Sequence, residues 1–247
     1  MKNFSRKVST VSDIVSLNLQ TAYYTFLRKY IRNKVVLDVG CWSGVFANYA
    51  TKYAKKVVGV DPSKEAIKLA RTQTPKVSFK VGSVERLPFK NSMFDTVVFF
   101  MVLEHIPKGT ELLALREINR VLRPYGYLIL DTPNKHLLSI LLDPAFFFLG
   151  HRHYSKDQLS GLLTQSGFFI ENMHTRGGIL HQITSLFELV AKHIFRITLV
   201  YPKWLQNLIH KDYEKQGYVS NRVIAKKTGG VDEYTKYGYP KYTFRKK

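Results

Sequence analysis

Apolar positions follow two alternating rhythms along the chain. From Ser12 to Arg32 they recur at helical spacing (Ile14, Leu17, Leu19, Ala22, Phe26, Leu27), which predicts a helix leading into the domain. VVLDVG, beginning at Val35, is a run of strand formers; Val45 to Tyr53 reads as a helix, and KVVGVD as a second strand ending at Asp61. PSKEAIKLARTQ predicts a helix, with Pro62 and Ser63 at its start and Glu65 in its first turn, all favourable there. VSFKVGS, FDTVVFF and YGYLILDTP predict a third, fourth and fifth strand, with a helix over ELLALREINRVLR before the last. Nearly all-apolar strands alternating with helices imply a parallel sheet covered on both faces, a doubly wound α/β fold. Ligands of such sheets bind beyond the carboxyl ends of the strands, where Asp38, Asp61, Ser83 and the stretch from Phe100 to Glu104 fall.

After the fifth strand the rhythm changes. KHLLSILLDPAFFFLGHRHY is largely apolar, with Asp143 the one charge between Lys135 and Arg152. SKDQLSGLLTQSGF predicts a helix capped by Ser155 and stopped by Gly167. FFIENMH and SNRVIAKKT predict a sixth and a seventh strand, and residues 178–216 between them form an insertion. Within it, from Leu180 to Ile197, the side chains of Ile183, Leu186, Phe187, Val190, Ile194 and Ile197 share one helical face, so the segment is amphipathic. LVYPKWLQNLIHK follows, with Tyr201, Lys203 and Trp204 of types common at membrane interfaces. A membrane contact, a lid over the site and a dimer contact all produce this pattern. The organisation is then a helical segment over 1–34, one domain over 35–227 and a basic tail over 228–247.

Composition narrows the setting. The chain has 247 residues and a single cysteine, Cys41, which excludes an internal disulfide framework and a cysteine-rich zinc site and fits a reducing, cytoplasmic compartment. The basic N-terminus lacks the apolar core of a signal peptide, and no uncharged apolar run reaches roughly 18 residues. The net charge of +20 points to an anionic partner or to solvated basic tails. Nucleic acid, anionic lipid and a phosphorylated substrate all satisfy it.

The chemistry concentrates in the first loop. G-C-W-S-G between a strand and a helix allows a ligand close to the backbone, but Asp38 stands two residues ahead of it, and a carboxylate there repels phosphate. It suits a ligand with an amino group and a cationic centre. Asp61 ends the next strand, 61 − 38 = 23 residues on, where a carboxylate can accept both hydroxyls of an adenosine ribose. S-adenosyl-L-methionine supplies an amine, a sulfonium, a ribose and an adenine. VLDVGCWSG, VVGVDPS, VGSVERLPFKNSMFDTVVFFMVLEHI and LREINRVLRPYGYLILDTPN, together covering Val35 to Asn134, resemble the class I S-adenosylmethionine-dependent methyltransferases, in the group that includes the ubiquinone- and menaquinone-biosynthesis methyltransferases.

The resemblance implies a seven-stranded Rossmann-like sheet with its last strand antiparallel. It implies S-adenosylmethionine as cofactor, with Asp38, Gly40 and Gly44 at its methionine end, Cys41 and Trp42 in the same loop, and Asp61 on the ribose. Pro62, Ser83 and Val84 would border the adenine, and Phe100 and Met101 the same pocket. The chain departs from the family at Ser83, where an aspartate is common, and at Trp42, which replaces a glycine and either stacks near the cofactor or sits at the loop tip. His105 is the candidate base, needed only if the acceptor loses a proton; Glu104 beside it is structural or borders the cofactor. The acceptor side is expected from Thr132, Pro133, Asn134, His151, His153 and Tyr154. No metal is expected at His151 and His153, since the carboxylate closest in the following sequence, Asp157, lies in a helix. The reading is methyl transfer to a hydrophobic or lipid-linked small molecule, at oxygen first, with carbon and nitrogen as the alternatives, in the cytoplasm or peripherally on an anionic membrane. The rivals are an RNA methyltransferase and a non-catalytic binding protein on the same fold.

Overall fold

The computed structural model describes residues 24–228, apart from 144, 145, 147–149, 192–194, 198, 200 and the side chain of Leu189. The helix expected from Ser12 therefore lies mostly outside the described residues, as does the basic tail beyond 228. Its end is present as a 3-10 turn, Thr25–Leu27, running into α1, Arg28–Ile31. Then follow β1 (Val35–Val39), α2 (Val45–Ala50), β2 (Lys56–Asp61), α3 (Lys64–Gln73), β3 (Ser78–Val81) and β4 (Phe94–Phe100). The second half contains α4 (Glu111–Val121), β5 (Leu122–Pro133), α5 (Leu137–Leu141), α6 (Lys156–Gln165) and β6 (Phe168–Arg176). It closes with α7 (Ile179–Val190), α8 (Lys203–Glu214) and β7 (Ser220–Lys227).

The strands form one seven-stranded sheet in the order β3-β2-β1-β4-β5-β7-β6. β1 pairs in parallel with β2 and β4, and β4 with β5; β7 runs antiparallel to both β5 and β6. The direction of the chain's crossing reverses between β1 and β4, so their carboxyl ends open the crevice where such sheets bind ligands. Apolar clusters fill both faces: Leu37, Val97, Phe99, Leu115 and Leu128 on one side, Leu27, Ile31, Val36, Phe46 and Val98 on the other. The N-terminal turn thus belongs to the core, and Thr96 Oγ1 fastens it by donating to the Tyr30 carbonyl (2.7 Å).

Helix starts follow local chemistry. Ser63 Oγ accepts from the Ala66 N–H, and Ser155 forms a reciprocal capping box with Gln158 (3.2 and 2.9 Å). Gly167, at φ +80°, ends α6 as expected. α7 covers Ile179–Val190 of the predicted amphipathic stretch; Ala191 and Phe195 are in a π turn, and residues 192–194, with Ile194 of the apolar face, lie outside the described residues.

A buried ionic row ties the last strands to the cap of helices between them. Asp131 on β5 faces Arg222 on β7 across the ladder (Oδ2 to Nε, 3.2 Å), and the Tyr213 hydroxyl from α8 donates to the same oxygen (3.2 Å). Arg176 at the end of β6 is ion-paired with Glu214 of α8, and the Arg222 guanidinium lies 3.8 Å from the Phe26 ring centre. Sheet, cap and N-terminal turn meet at that arginine.

The capping box yields a stability prediction. Ser155→Ala is expected to cost about 1 kcal/mol, as for other lost N-caps, read as a lower urea midpoint with an unchanged slope and unchanged S-adenosylmethionine affinity.

Candidate functional site

The β1–α2 loop is built on two left-handed glycines, Gly40 (φ +73°) and Gly44 (φ +80°). A Cβ on Gly40 would collide with Val102, and one on Gly44 would lie 2.8 Å from the Phe79 ring. The loop is therefore pressed between the β4 loop and β3, and only glycine fits. The N–H groups of Gly40 and Cys41 both donate to the Val60 carbonyl (2.8 and 3.1 Å), holding the loop to the end of β2. Trp42 also has positive φ (+43°); its N–H donates to Asp61 Oδ2 (3.0 Å), while the indole is 56% exposed. The side chain is at the loop tip, and the backbone of Trp42 helps to fix the Asp61 carboxylate. The Ser63 N–H donates to the other oxygen of Asp61 (2.9 Å).

Asp38 and Asp61 are both buried at neighbouring strand ends. Burial raises the Asp38 carboxyl from 3.8 to about 8, and the Asp61 charge adds to the rise. Burial also raises Asp61, against the two backbone N–H groups that lower it. Asp38 Oδ2 has no hydrogen-bond partner among the described residues. The Tyr24 hydroxyl and the Cys41 thiol are pushed up as well, by burial first and the Asp38 charge second. A ligand bringing an ammonium group and a sulfonium would relieve this crowding, and the donor set fits S-adenosylmethionine.

Tyr24 and Phe26 cover this corner. Tyr24 packs on Phe46 (5.1 Å between ring centres) and is stacked with Phe100 (6.2 Å); Phe26 also stacks on Phe100 (6.4 Å). The sequence pattern placed both in a leading helix and gave them no part in the site. Two aromatic residues just ahead of the first strand were the available signal. Of the other cofactor-side residues, Ser83 forms a bridge to Arg86 beyond the end of β3, Val84 is in the core, Pro62 is exposed, and Met101 (φ +52°) donates its N–H to the Asp131 carbonyl.

On the acceptor side, Glu104 is buried and accepts from Thr132 Oγ1 (3.0 Å); burial raises its carboxyl to about 8. His105 meets the His151 ring edge-on (4.3 Å between centres). Desolvation, joined by the His151 charge, lowers His105 to about 4, so it is neutral at pH 7. His151 Nδ1 and His153 Nε2 both approach Asp143 Oδ2 (3.3 and 3.4 Å), so the histidines share Asp143, the acid just after α5, and not Asp157. No group of three histidine, cysteine or acidic side chains among the described residues is arranged to hold a metal ion.

Arg152, between these histidines, locks the two loops together. Its guanidinium pairs with Glu111 (2.6 Å) and donates to the Leu103 and Ile106 carbonyls (2.7 and 2.5 Å), clamping the turn that carries Glu104 and His105. The Tyr154 hydroxyl donates to Leu103 as well (3.1 Å). Its backbone N–H donates to the Pro133 carbonyl (2.9 Å), and the Asn134 amide donates to Tyr218 (2.9 Å). Tyr154, Pro133 and Asn134 are thereby fixed to one another and to Tyr218 through hydrogen bonds within the protein.

The raised acid at Asp38 gives a signed pH dependence. A proton held up to about pH 8 in the cofactor-free protein must leave when a cationic ligand favours the carboxylate. Calorimetry of S-adenosylmethionine binding at pH 7 in buffers of different ionisation enthalpy is expected to show release of about one proton, with affinity rising toward pH 8 and the release absent in Asp38→Asn. Without ligand, the same acid stabilises the fold below its unfolded value of 3.8 and loses that contribution as pH rises through about 8.

Comparison with known proteins agrees with this geometry. Residues 37–130 match the family described as Methyltransferase domain. A probable S-adenosylmethionine-dependent methyltransferase of Mycolicibacterium smegmatis is 31% identical over 158 residues, 64% of this chain and 59% of that protein. A ubiquinone biosynthesis O-methyltransferase of Paracidovorax citrulli is 29% identical over 118 residues, 45% of this chain and 49% of that protein. The chain thus spans less than two thirds of either relative. In structure, an S-adenosylmethionine-dependent methyltransferase of Methanosarcina mazei superposes with a TM-score of 0.60 at 22% identity, over 83% of this chain and 98% of that one. The cyclase SpnF does so at 0.61 and 22%, over 89% and 82%, so the fold carries more than one chemistry. Residues 37–130 are a methyltransferase domain of the S-adenosylmethionine-dependent kind, on a chain that has the fold of that class.

Proposed function

We propose that the protein transfers a methyl group from S-adenosylmethionine to an oxygen of a hydrophobic or lipid-linked small molecule, working from the cytoplasmic side at an anionic membrane surface. The observation that carries the acceptor class is the apolar character of the helices around the site's mouth, where Leu137 of α5 is 68% exposed and Phe187 of α7 is 59% exposed. Among the described residues no helix is long and apolar enough to cross a membrane, so the contact proposed is peripheral.

When bound, S-adenosylmethionine supplies an electrophilic methyl group, and positioning of the acceptor in line with it supports much of the rate. In this reading Asp38 and the glycine loop hold the methionine end, Asp61 the ribose, and Ser83, Pro62 and Val84 border the adenine. Cys41, Trp42, Phe100 and Met101 line the same pocket. Thr132, Pro133, Asn134 and Tyr154 shape the acceptor wall. A hydroxyl acceptor must lose a proton, and His105, neutral at pH 7, is the group to take it. His151 lies against it and is oriented by Asp143, so the proton has an onward carrier.

The charge of +20 favours an RNA methyltransferase as the second reading. A transfer assay separates the two. With labelled S-adenosylmethionine, a total lipid extract and bulk tRNA are offered in parallel, and label is expected in the organic phase. Asp61→Ala is expected to weaken cofactor binding by at least about tenfold through the loss of charge-assisted hydrogen bonds and to remove the lipid product. Label in RNA overturns the acceptor class; wild-type protein that fails to bind S-adenosylmethionine at millimolar concentration overturns the enzyme.

A further inference from the structure

The helices that cap the carboxyl edge of the sheet are inside out. A surface helix of a water-soluble protein turns its apolar stripe to the core. In α7 the side chains turned inward are Gln182 and Thr184, while Ile179, Ile183 and Phe187 are exposed. Hydrogen bonds enforce the inversion: Gln182 Nε2 donates to the Leu138 and Ser139 carbonyls of α5 (3.2 and 2.9 Å), and Thr184 Oγ1 donates back to Leu180 and His181. α5 repeats the arrangement, burying Ser139 and exposing Leu137, Leu138 and Leu141. In α8, Asp212 is buried and accepts the His181 N–H (2.9 Å), while Trp204, 64% exposed, and Leu208 lie one turn apart on the outside. Three helices tied together through polar groups thus each present apolar groups outward, and exposed apolar residues gathered on linked elements are the signature of an interaction site.

The charges on the same elements select the partner. Lys135, Arg196, Lys203 and Lys211 are exposed around the apolar groups. Of the acids, Asp143 is engaged with His151 and His153, Asp212 with Lys215, and Glu214 with Arg176 and Arg222, and α7 carries a single acid, Glu188. A basic rim around Trp204, Phe187 and leucines is complementary to an anionic bilayer, where aromatic and aliphatic groups enter the headgroup boundary and lysines meet phosphate. It is not complementary to itself. A two-fold contact would bring like charges of two strongly basic chains together.

We infer that α5, α7 and α8 form a docking face that seats the protein on an anionic lipid bilayer, with the acceptor mouth toward the lipid. The orientation follows from topology. α5 leaves the carboxyl end of β5, α7 leaves that of β6, and α8 returns to the start of β7, the same edge at which Asp38, Phe100 and Asp131 converge. This inference rests on the proposed lipid-linked acceptor and names the surface through which that acceptor enters.

The two tryptophans of the chain, Trp42 and Trp204, make the test direct. In the full-length Trp42→Phe protein, Trp204 is the sole indole, and vesicles containing phosphatidylglycerol with brominated acyl chains are expected to quench it. Trp204→Phe, which leaves Trp42, is expected to show weaker quenching, and neutral phosphatidylcholine vesicles little in either protein. Phe187→Glu, an exposed position, is expected to lower vesicle partitioning by about tenfold or more with S-adenosylmethionine affinity unchanged. Absence of Trp204 quenching overturns the inference. So does a dimer in sedimentation that Phe187→Glu splits, which would assign the face to a second copy. Quenching in a protein that binds no S-adenosylmethionine would leave the docking face standing and remove the methyltransferase reading instead.

Discussion

Two carboxylates at the ends of adjacent parallel strands set the terms for the rest of the molecule. Asp38 and Asp61 are buried, repel one another, and have no ion-pair partner among the described residues. Charging two buried carboxyls side by side is costly, and Asp38 avoids it by keeping its proton up to about pH 8. The glycine turn exists to bring a ligand within reach of these acids, and Asp61 in turn shapes the loop by taking the Trp42 and Ser63 N–H groups. Tyr24 and Phe100 shield the same corner from water and so strengthen every charge interaction inside it.

The far side of the sheet solves a different problem. Its ionic row balances two buried arginines, Arg222 and Arg176, against buried Asp131 and the exposed Glu214, and therefore asks for no ligand. Burial still raises Asp131 to about 6, with the Ser220, Arg176 and Tyr213 groups opposing the rise. Such pairs contribute less to net stability than to a unique arrangement, because desolvation offsets most of the attraction. Here the arrangement fixes is that of the cap, which lets α7 and α8 hold an apolar face in water without collapsing onto the core.

The alternation of strands and helices was plain in the sequence because β1, β2 and β4 are nearly all apolar and the helices after β2 and before β6 begin at the serine caps Ser63 and Ser155. β4 spans the residues its pattern marked, and Ser155 and Gly167 bound α6 as read. β5 starts three residues before Tyr125, since Leu122 pairs with Phe94 ahead of a bulge that no local pattern signals. That Asp38 and Asp61 fall together at neighbouring strand ends was legible from their position at the close of apolar runs. What escaped the sequence depends on distant meetings. Arg222 and Asp131 are 91 residues apart. The inversion of α7 was hidden for a related reason: periodicity identifies an apolar face but not the side to which hydrogen bonds turn it.

The Arg152 clamp has a consequence for how this architecture can vary. It grips the turn after β4 by main-chain carbonyls, Leu103 and Ile106, so its hold is indifferent to which side chains that turn carries. The stretch from 135 to 150 is bracketed by this clamp on one side and by the Pro133–Tyr154 backbone bond on the other. That stretch makes its own contacts, Leu138 and Ser139 to Gln182 and Asp143 to His151 and His153, so a change within it alters the cap while the two brackets keep β4 and β5 in register. On the proposed reading, a new acceptor asks for changes in this stretch and its contacts and not in the loop beside Asp38.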